Sequence, residues 1–217
     1  NSADLVVNLE ADVDMSEFGW VPIGFKGDVD VLPRPFNGTF NGNGHLITGV
    51  NGMVYGQGEE GVSDYGLFGY VTGGTIQDVF VQGMEYYIDN NPILNLGGLA
   101  GENEGGILCN SEVQSKLGSQ SAESRIGGLV GKQVSGTLHS SIGIADMTGG
   151  RMGGLVGENN GDLYNSFANA KLTSKDTNKY SGGLVAINNG TVENCYVRIR
   201  PENDNPSGNY GWFAGYN

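Results

Sequence analysis

The stretch MGGLVGENNGDLYNSFANA, residues 152–170, decides the fold because it recurs along the chain. Glycines flank its short apolar centre, Leu155 and Val156, and an Asn/Gly cluster leads into a second half-apolar run. Glycine costs about 1 kcal/mol relative to alanine in a helix interior, so helical repeats are disfavoured. The recurrence identifies the stretch as one unit of a repeating β-structure rather than a loop.

The repeat has a core of Gly-Leu/Trp-Phe/Ala/Val-Gly/Ala, which occurs six times at spacings of 26–32 residues. The second positions of these cores predict one apolar stack: Leu67, Leu99, Leu129, Leu155, Leu184 and Trp212. Apolar residues eight or nine positions later predict a second stack: Ile76, Leu108, Leu138, Leu163 and Val192. Small polar residues two positions further on predict a polar ladder at a turn, with amides bonded along the axis: Asp78, Asn110, Ser140, Asn165 and Asn194.

Short apolar segments between turn formers, in a repeat of this length, are typical of a parallel β-solenoid. Crossovers between parallel strands are nearly always right-handed. We therefore predict an all-β fold, a right-handed parallel β-helix forming one domain over residues 1–217. Residues 1–64 are expected to form N-terminal capping coils, and residues 65–217 the repeats, the last one truncated. The chemically mixed position three residues after each core Leu is expected to face solvent: Tyr70, Glu102, Lys132, Glu158, Ile187 and Gly215.

The charge composition of the chain disfavours two classes of binding partner. The net charge is -13, and the 11 Lys and Arg residues are scattered, so nucleic acid and anionic membranes are poor partners. The sequence has no run of eighteen apolar residues, and we expect no transmembrane segment in this fragment, which we interpret as a piece of a longer protein. Cys109 and Cys195 would lie three coils apart, about 14 Å, so we predict two free thiols.

The segments GWVPIG, PFNGTFNGNGHLITGV, YGLFGYVTGGTIQDVFV and GGLVGENNGDLYNSFA together resemble the GLUG-motif repeat proteins. That family includes bacterial surface and adhesin-like proteins and parts of Gram-positive immunoglobulin A metallopeptidases. The resemblance runs from about Leu5 to the end of the chain. It implies a β-helix, an extracellular or cell-surface location and further domains in the same chain. It implies no catalytic residue here.

The residues themselves also predict no enzyme. The sequence lacks H-E-x-x-H, and His139 is expected to point away from its neighbours Ser140 and Ser141 on a strand. We predict no cofactor and no metal site, with calcium left open at one acidic set: Asp12, Asp14, Asp28 and Asp30. A polysaccharide-cleaving enzyme would instead need several acidic and basic side chains converging in one groove.

Binding is the favoured role, through segments expected to be loops between coils: residues 82–95, 114–125 and 169–180. Tyr86 and Tyr87 in the first of them are candidate contacts to a host glycan or protein, unless both pack onto the coil. The leading hypothesis is a non-catalytic adhesin or stalk module of a bacterial surface protein. The alternatives are an accessory domain of an immunoglobulin A metallopeptidase and a polysaccharide lyase or hydrolase.

Overall fold

A computed structural model describes residues 3–26, 32–52, 64–88, 93–174, 179–200 and 209–217. Across these residues the secondary structure consists of β-strands, turns and bends, with no helix. The strands, numbered in chain order, are β1 (Val6–Asn8), β2 (Val13–Asp14), β3 (Thr39–Asn41), β4 (Leu46–Thr48), β5 (Asn51–Gly52), β6 (Asp64–Tyr65), β7 (Phe68–Thr72), β8 (Thr75–Gln77), β9 (Phe80–Ile88), β10 (Asn95–Gly97), β11 (Ala100–Cys109), β12 (Glu112–Ser119), β13 (Arg125–Gly127), β14 (Val130–His139), β15 (Ile142–Gly149), β16 (Arg151–Gly153), β17 (Val156–Asn159), β18 (Asp162–Tyr164), β19 (Phe167–Ser174), β20 (Tyr180–Gly182), β21 (Val185–Asn188), β22 (Thr191–Glu193), β23 (Tyr196–Ile199), β24 (Asn209–Gly211) and β25 (Ala214–Tyr216).

The strands form three parallel sheets that wind around one axis in about six turns. Sheet 1 has 11 strands and follows β1-β3-β8-β11-β14-β17-β21-β25, with β7, β18 and β22 alongside. Sheet 2 has six strands in the order β6-β10-β13-β16-β20-β24. Sheet 3 has eight strands and follows β2-β4-β9-β12-β15-β19-β23, with β5 alongside. The predicted parallel β-helix is confirmed.

The core Leu residues lie at the bend between sheets 2 and 1 rather than inside a strand. Each donates its backbone N–H to the next coil, as Leu129 does to Leu155 at 2.9 Å and Leu155 to Leu184 at 2.8 Å. All five Leu side chains of the predicted stack are at most 1% exposed. Val156, whose direction the sequence leaves open, also points inward and is fully buried.

Trp212 does not belong to this stack, and its assignment there was wrong. Val185 pairs with Ala214 and Gly182 with Gly211, so Phe213 is the register equivalent of Leu184. Trp212 therefore continues the column of Gly183, whose Cβ position would lie 2.0 Å from the Trp212 carbonyl oxygen. Phe213 and Trp212 are 61% and 69% exposed, because both lie on the last coil.

The bend explains why glycine is so frequent around each core Leu. A Cβ on Gly153 would lie 1.9 Å from the carbonyl oxygen of Val156, and one on Gly154 would lie 1.9 Å from that of Gly183. Cβ atoms do not approach backbone oxygens this closely, so the sharp bend and the next coil require glycine at both positions.

The polar ladder occupies the turn between sheets 1 and 3. All five of its residues have left-handed backbone conformations, with φ between 50° and 55°. The expected amide bonds along this column do not form among the described residues. The hydrogen bonds along the axis run one position later, where Ser111 N donates to Ser141 Oγ and Ser141 N to Ser166 Oγ, both at 3.2 Å.

An amide ladder that the sequence reasoning missed lies four residues after the core Leu, at Asn103, Gln133, Asn159, Asn188 and Asn217. Asn159 Nδ2 donates to Asn188 Oδ1 at 2.9 Å, and Asn188 Nδ2 donates to Asn217 Oδ1 at 2.7 Å. Each amide from Asn103 to Asn188 also bonds a nearby turn glycine, as Asn103 Oδ1 accepts from Gly106 N. The recurring Asn or Gln before a glycine was the available sequence signal.

The second predicted apolar stack lies on the inner face at the end of sheet 1. Ile76, Leu108, Leu138 and Leu163 are fully buried, and Val192 is partly buried near the last coil. The three segments expected to be loops are largely strands instead, since β9, β12 and β19 run through them. They form the third face of each coil, and residues 89–92 and 175–178 lie outside the described residues.

Candidate functional site

A groove of about 550 Å³ runs along the outer face of sheet 3. Its walls come from two neighbouring columns of outward side chains. One column contains Gln114, Ile144, Asn169 and Arg198, and the other contains Glu85, Lys116, Asp146, Lys171 and Arg200. The backbone bulge at Gly83, which has φ +72°, opens one end of the groove where the β9–β12 register shifts.

Ion pairs hold much of the charged column. Lys116 Nζ donates to Glu85 Oε1 at 2.7 Å, and Arg200 donates to Asp146 Oδ1 at 2.8 Å across two coils. Arg198 is exposed and forms no ion pair or side-chain hydrogen bond with any described residue. This guanidinium, unpaired within the described ranges, makes the groove locally basic on a protein of net charge -13.

Asn169 contributes a second unused group. Its Oδ1 atom is buried and accepts no hydrogen bond from the described residues. Tyr196, two residues before Arg198 on β23, points to the same face and is 71% exposed. Asn169 and Arg198 are paired neighbours that line the groove, and Tyr196 lies two residues along the same face of β23, beyond the lining residues.

A second charged cluster lies at the bend between sheets 2 and 1, around Glu102. Asn95 Nδ2 donates both to Asp64 Oδ1 at 2.7 Å and to Glu102 Oε2 at 3.0 Å. Lys26 from the N-terminal segment donates to Glu102, and Lys132 Nζ lies 3.9 Å from it. Tyr70 and Glu102 are only 8% and 2% exposed, so the predicted exposure of this column was wrong for both.

The facing columns explain this burial. Asp64, Asn95 and Arg125 on sheet 2 close over the sheet 1 column, and Arg125 bonds Glu158 there. Burial favours a raised pKa for Glu158, but the hydrogen bond and charge of Arg125 outweigh it and hold the pKa below its ordinary value. Tyr70 donates to Glu104, and burial, followed by that bond, raises the pKa of Tyr70.

This cluster brings acidic and basic side chains together, as a polysaccharide-cleaving site would. Its two central carboxylates, on Asp64 and Glu102, are each 2% exposed, however. A sugar ring cannot reach them in this conformation, whereas the sheet 3 groove opens to solvent and has exposed lining side chains, among them Arg198 and Arg200. The arrangement therefore favours a structural role for the cluster and binding for the groove.

Comparison with known proteins supports the fold. A crystal structure from Bacteroides ovatus, described as a "putative immunoglobulin A1 protease", matches all of this chain and 78% of its own, with a TM-score of 0.60. The two sequences are 17% identical, so the likeness concerns the fold alone. No protein-family model and no curated protein matches the chain, and membership of the GLUG family stays a prediction.

The two candidate tyrosines lie on opposite faces of β9. Tyr86 is 2% exposed and packs against the backbone of Gly52, so for this tyrosine the alternative of packing onto the coil is right and the candidate role as a binding contact is wrong. Tyr87 is 48% exposed, and its ring lies over Gly118 on the next coil. Alternation along a strand separates the pair, and Tyr87 alone is accessible to a ligand.

The acidic set considered for calcium is engaged locally where it is described. Asp12 Oδ1 accepts from Leu46 N at 2.9 Å, and Asp14 Oδ1 accepts from Ser16 N at 2.9 Å. These backbone bonds are the main cause of a lowered pKa for both carboxyls. Asp28 and Asp30 lie outside the described residues, and no group of three metal-binding side chains occurs within them.

Both cysteines are free thiols, as predicted. Cys109 is buried, and Cys195 is partly buried with its Sγ 3.3 Å from the Glu193 carbonyl oxygen. His139 Nδ1 lies 3.1 Å from Ser140 Oγ, so the expectation that they point apart was wrong. The left-handed turn at Ser140 redirects its side chain, but no described residue bonds the other ring nitrogen, as a catalytic triad requires.

No helix among the described residues has both the length and the apolar character needed to cross a membrane.

Proposed function

We propose that the chain is a non-catalytic, extracellular β-helix module of a larger bacterial cell-surface protein, acting as an adhesin or stalk segment. The observation that carries the proposal is the contrast between its two charged regions. The cluster around Glu102 is closed, while the groove on sheet 3 is open to solvent and includes Arg198, an exposed side chain with no partner among the described residues. This pattern is expected of a binding surface on a rigid scaffold.

Contacts with further domains of the same chain are part of the proposal. Within the part of the chain that the structure describes, the last coil presents an unpaired strand edge and four exposed aromatic residues: Tyr196, Trp212, Phe213 and Tyr216. Exposed edges and apolar surfaces of this kind are normally covered by another element. An additional coil or domain stacked on this end would cover both.

Two measurements test the module as an adhesin or stalk. Antibodies against the chain should label intact, unpermeabilised cells of the source bacterium, and the purified chain should leave a panel of polysaccharides uncleaved. Cleavage that a single carboxylate substitution abolishes would replace the proposal with an enzyme. Labelling only after permeabilisation would contradict the surface location.

An accessory domain of an immunoglobulin A metallopeptidase is the second candidate, favoured by the likeness to the Bacteroides ovatus protein. Its test uses the full-length protein with and without this module. An accessory role predicts that deletion weakens binding of immunoglobulin A, while cleavage persists at saturating substrate. Full-length protein without protease activity would contradict this candidate and leave the surface-module proposal standing.

A further inference from the structure

The groove on sheet 3 offers side chains only, and this restricts its ligand. Strands β12, β15 and β19 each pair with a strand on both sides, so their backbone groups are already hydrogen-bonded. An extended peptide that adds to a sheet needs a free strand edge. Of the strands that line the groove, only β23 has one among the described residues, and a peptide added there would continue the sheet rather than lie across the side chains of the groove. A ligand rich in hydroxyl groups needs no free edge, because side-chain amides and charged groups both donate to and accept from hydroxyls.

The groups without partners at the C-terminal end of the groove indicate which chemical groups the ligand carries. Arg198 is an exposed guanidinium with no partner among the described residues, and a guanidinium forms paired hydrogen bonds with a carboxylate. Asn169 lines the groove next to Arg198, and its Oδ1 is a buried acceptor without a partner among the described residues, which rotation of the side-chain amide toward a ligand hydroxyl would satisfy. Tyr196 presents an exposed ring two residues from Arg198 on the same face of β23, suited to the apolar face of a sugar that extends beyond the groove.

The net charge of the chain sets an upper limit on ligand charge. With a net charge of -13, the protein repels a long polyanion, although the groove columns hold four cationic and two anionic side chains. A short ligand with one or two carboxylates meets the local positive charge without approaching the acidic remainder.

We propose that this groove binds an oligosaccharide containing a carboxylated sugar, with Arg198 bonding the carboxylate, Asn169 accepting from a hydroxyl and Tyr196 stacking on the ring. The inference deepens the proposed function by naming a ligand class. It rests on the module being a binding domain, but not on its cellular location. Sialic acids and hexuronic acids share this chemistry, and the two are distinguished by the probes below.

The test is calorimetric titration of the whole chain with 3′-sialyllactose, with trigalacturonate and with neutral lactose. We expect one of the two acidic probes to bind, lactose to bind at least about tenfold more weakly, and added salt to weaken the binding. Arg198→Gln and Tyr196→Ala should each weaken binding by about tenfold. Both side chains are exposed, so the variants should fold normally, which circular dichroism checks.

Matched controls lie on the N-terminal segment, at the opposite end of the solenoid from Arg198 and Tyr196. Arg34→Gln and Phe18→Ala remove an exposed cation and an exposed aromatic ring, and both should leave binding unchanged. The inference is overturned if neither acidic probe binds, if lactose binds equally well, or if the control variants weaken binding as much as Arg198→Gln. Saturable binding of an acidic peptide in preference to the sugars would also overturn it. Surface labelling of cells could still succeed in each case, so failure here is distinct from failure of the proposed function.

Discussion

Lys26 Nζ donates a hydrogen bond to the buried carboxylate of Glu102, 76 positions later in the chain. The ammonium also lies 5.1 Å from the centroid of the Tyr70 ring, within the range of a cation–π contact. The N-terminal segment is thereby fastened to the outside of the bend between sheets 2 and 1. Desolvation favours a lower pKa for Lys26, but its bond to Glu102 and the nearby carboxylates raise that pKa above its ordinary value.

Replacing Lys26 by Met tests this connection. The variant keeps the apolar stem but leaves Glu102 buried without its closest donor, which should lower the free energy of unfolding by about 2 kcal/mol. Because the folded-state pKa is raised, the contribution is complete below the ordinary lysine pKa of about 10.4 and is lost as pH rises through the folded value. Urea unfolding at neutral and at strongly alkaline pH measures both effects.

The control for this variant is Lys116→Met on the sheet 3 groove. Its ion pair with Glu85 is exposed on both sides, with side chains 69% and 56% accessible, so its loss should change stability little. Equal destabilisation by the two substitutions would show that burial of Glu102 does not govern the energetics of the cluster.

Glu158 predicts the response of the fold to acid. Its folded pKa lies below the ordinary value of about 4.3, because the bond and charge of Arg125 outweigh the effect of burial. The stabilisation is therefore present above that value and is lost as pH falls through the folded pKa. Glu158→Gln should cost roughly 1 kcal/mol at neutral pH and reduce the loss of stability in acid.

Urea unfolding curves from neutral to acidic pH measure this difference. The matched control is Glu17→Gln, which alters an exposed carboxylate in the N-terminal segment and should leave the pH profile unchanged. If Glu158→Gln and the unmodified chain lose stability in parallel on acidification, the ion pair with Arg125 does not contribute to folding.

The repeat spacing was enough to predict the solenoid, since stacking brings equivalent residues of each coil together. The same spacing gave the wrong equivalent of the core Leu at the last coil, because Trp212 and Phe213 are both apolar and either could occupy that position. The distinguishing signal was the first glycine of each bend: Gly182 and Gly211 pair, and this places Phe213 after Leu184. Space for a Cβ, rather than hydrophobicity, fixes the register there.

The two charged regions could not be predicted from the repeat. Glu102 and Tyr70 vary in chemistry along their column, which is typical of exposed positions, yet the neighbouring sheet and Lys26 cover them. The groove could not be predicted from the sequence for a different reason. Its columns come from segments of unequal length that resemble loops in sequence, and only the strand pairing brings Asn169 beside Arg198.

The glycines of the bend should be intolerant of even one extra methyl group. Gly153→Ala would place a Cβ 1.9 Å from the Val156 carbonyl oxygen, and relieving that clash should cost about 3 kcal/mol. Gly19→Ala is the control, because a Cβ there has no atom within 4 Å. Thermal unfolding followed by circular dichroism should show a large drop in Tm for the first variant and almost none for the second.

At the turn residues with left-handed backbone conformations, we expect alanine to destabilise the protein more than glycine does. Asn165 has φ 51° and is exposed, so Asn165→Ala should cost about 1 kcal/mol through backbone strain. Asn165→Gly should be almost neutral, because glycine adopts this conformation without strain. Urea unfolding ranks the two variants, and an alanine variant as stable as the glycine variant would contradict the importance of the backbone conformation.

The two thiols should react slowly in the folded protein. Burial, assisted by the charge of Asp78, raises the pKa of Cys109, and burial outweighs two backbone hydrogen bonds in raising that of Cys195. Near neutral pH, few thiolates therefore form, and thiolate is the reactive species. Titration with a thiol-reactive dye should label Cys195 faster than the more buried Cys109, and both much faster after unfolding in urea. Rapid labelling of Cys109 in the native protein would show that the turn between sheets 1 and 3 opens readily, contrary to the packed serine column beside it.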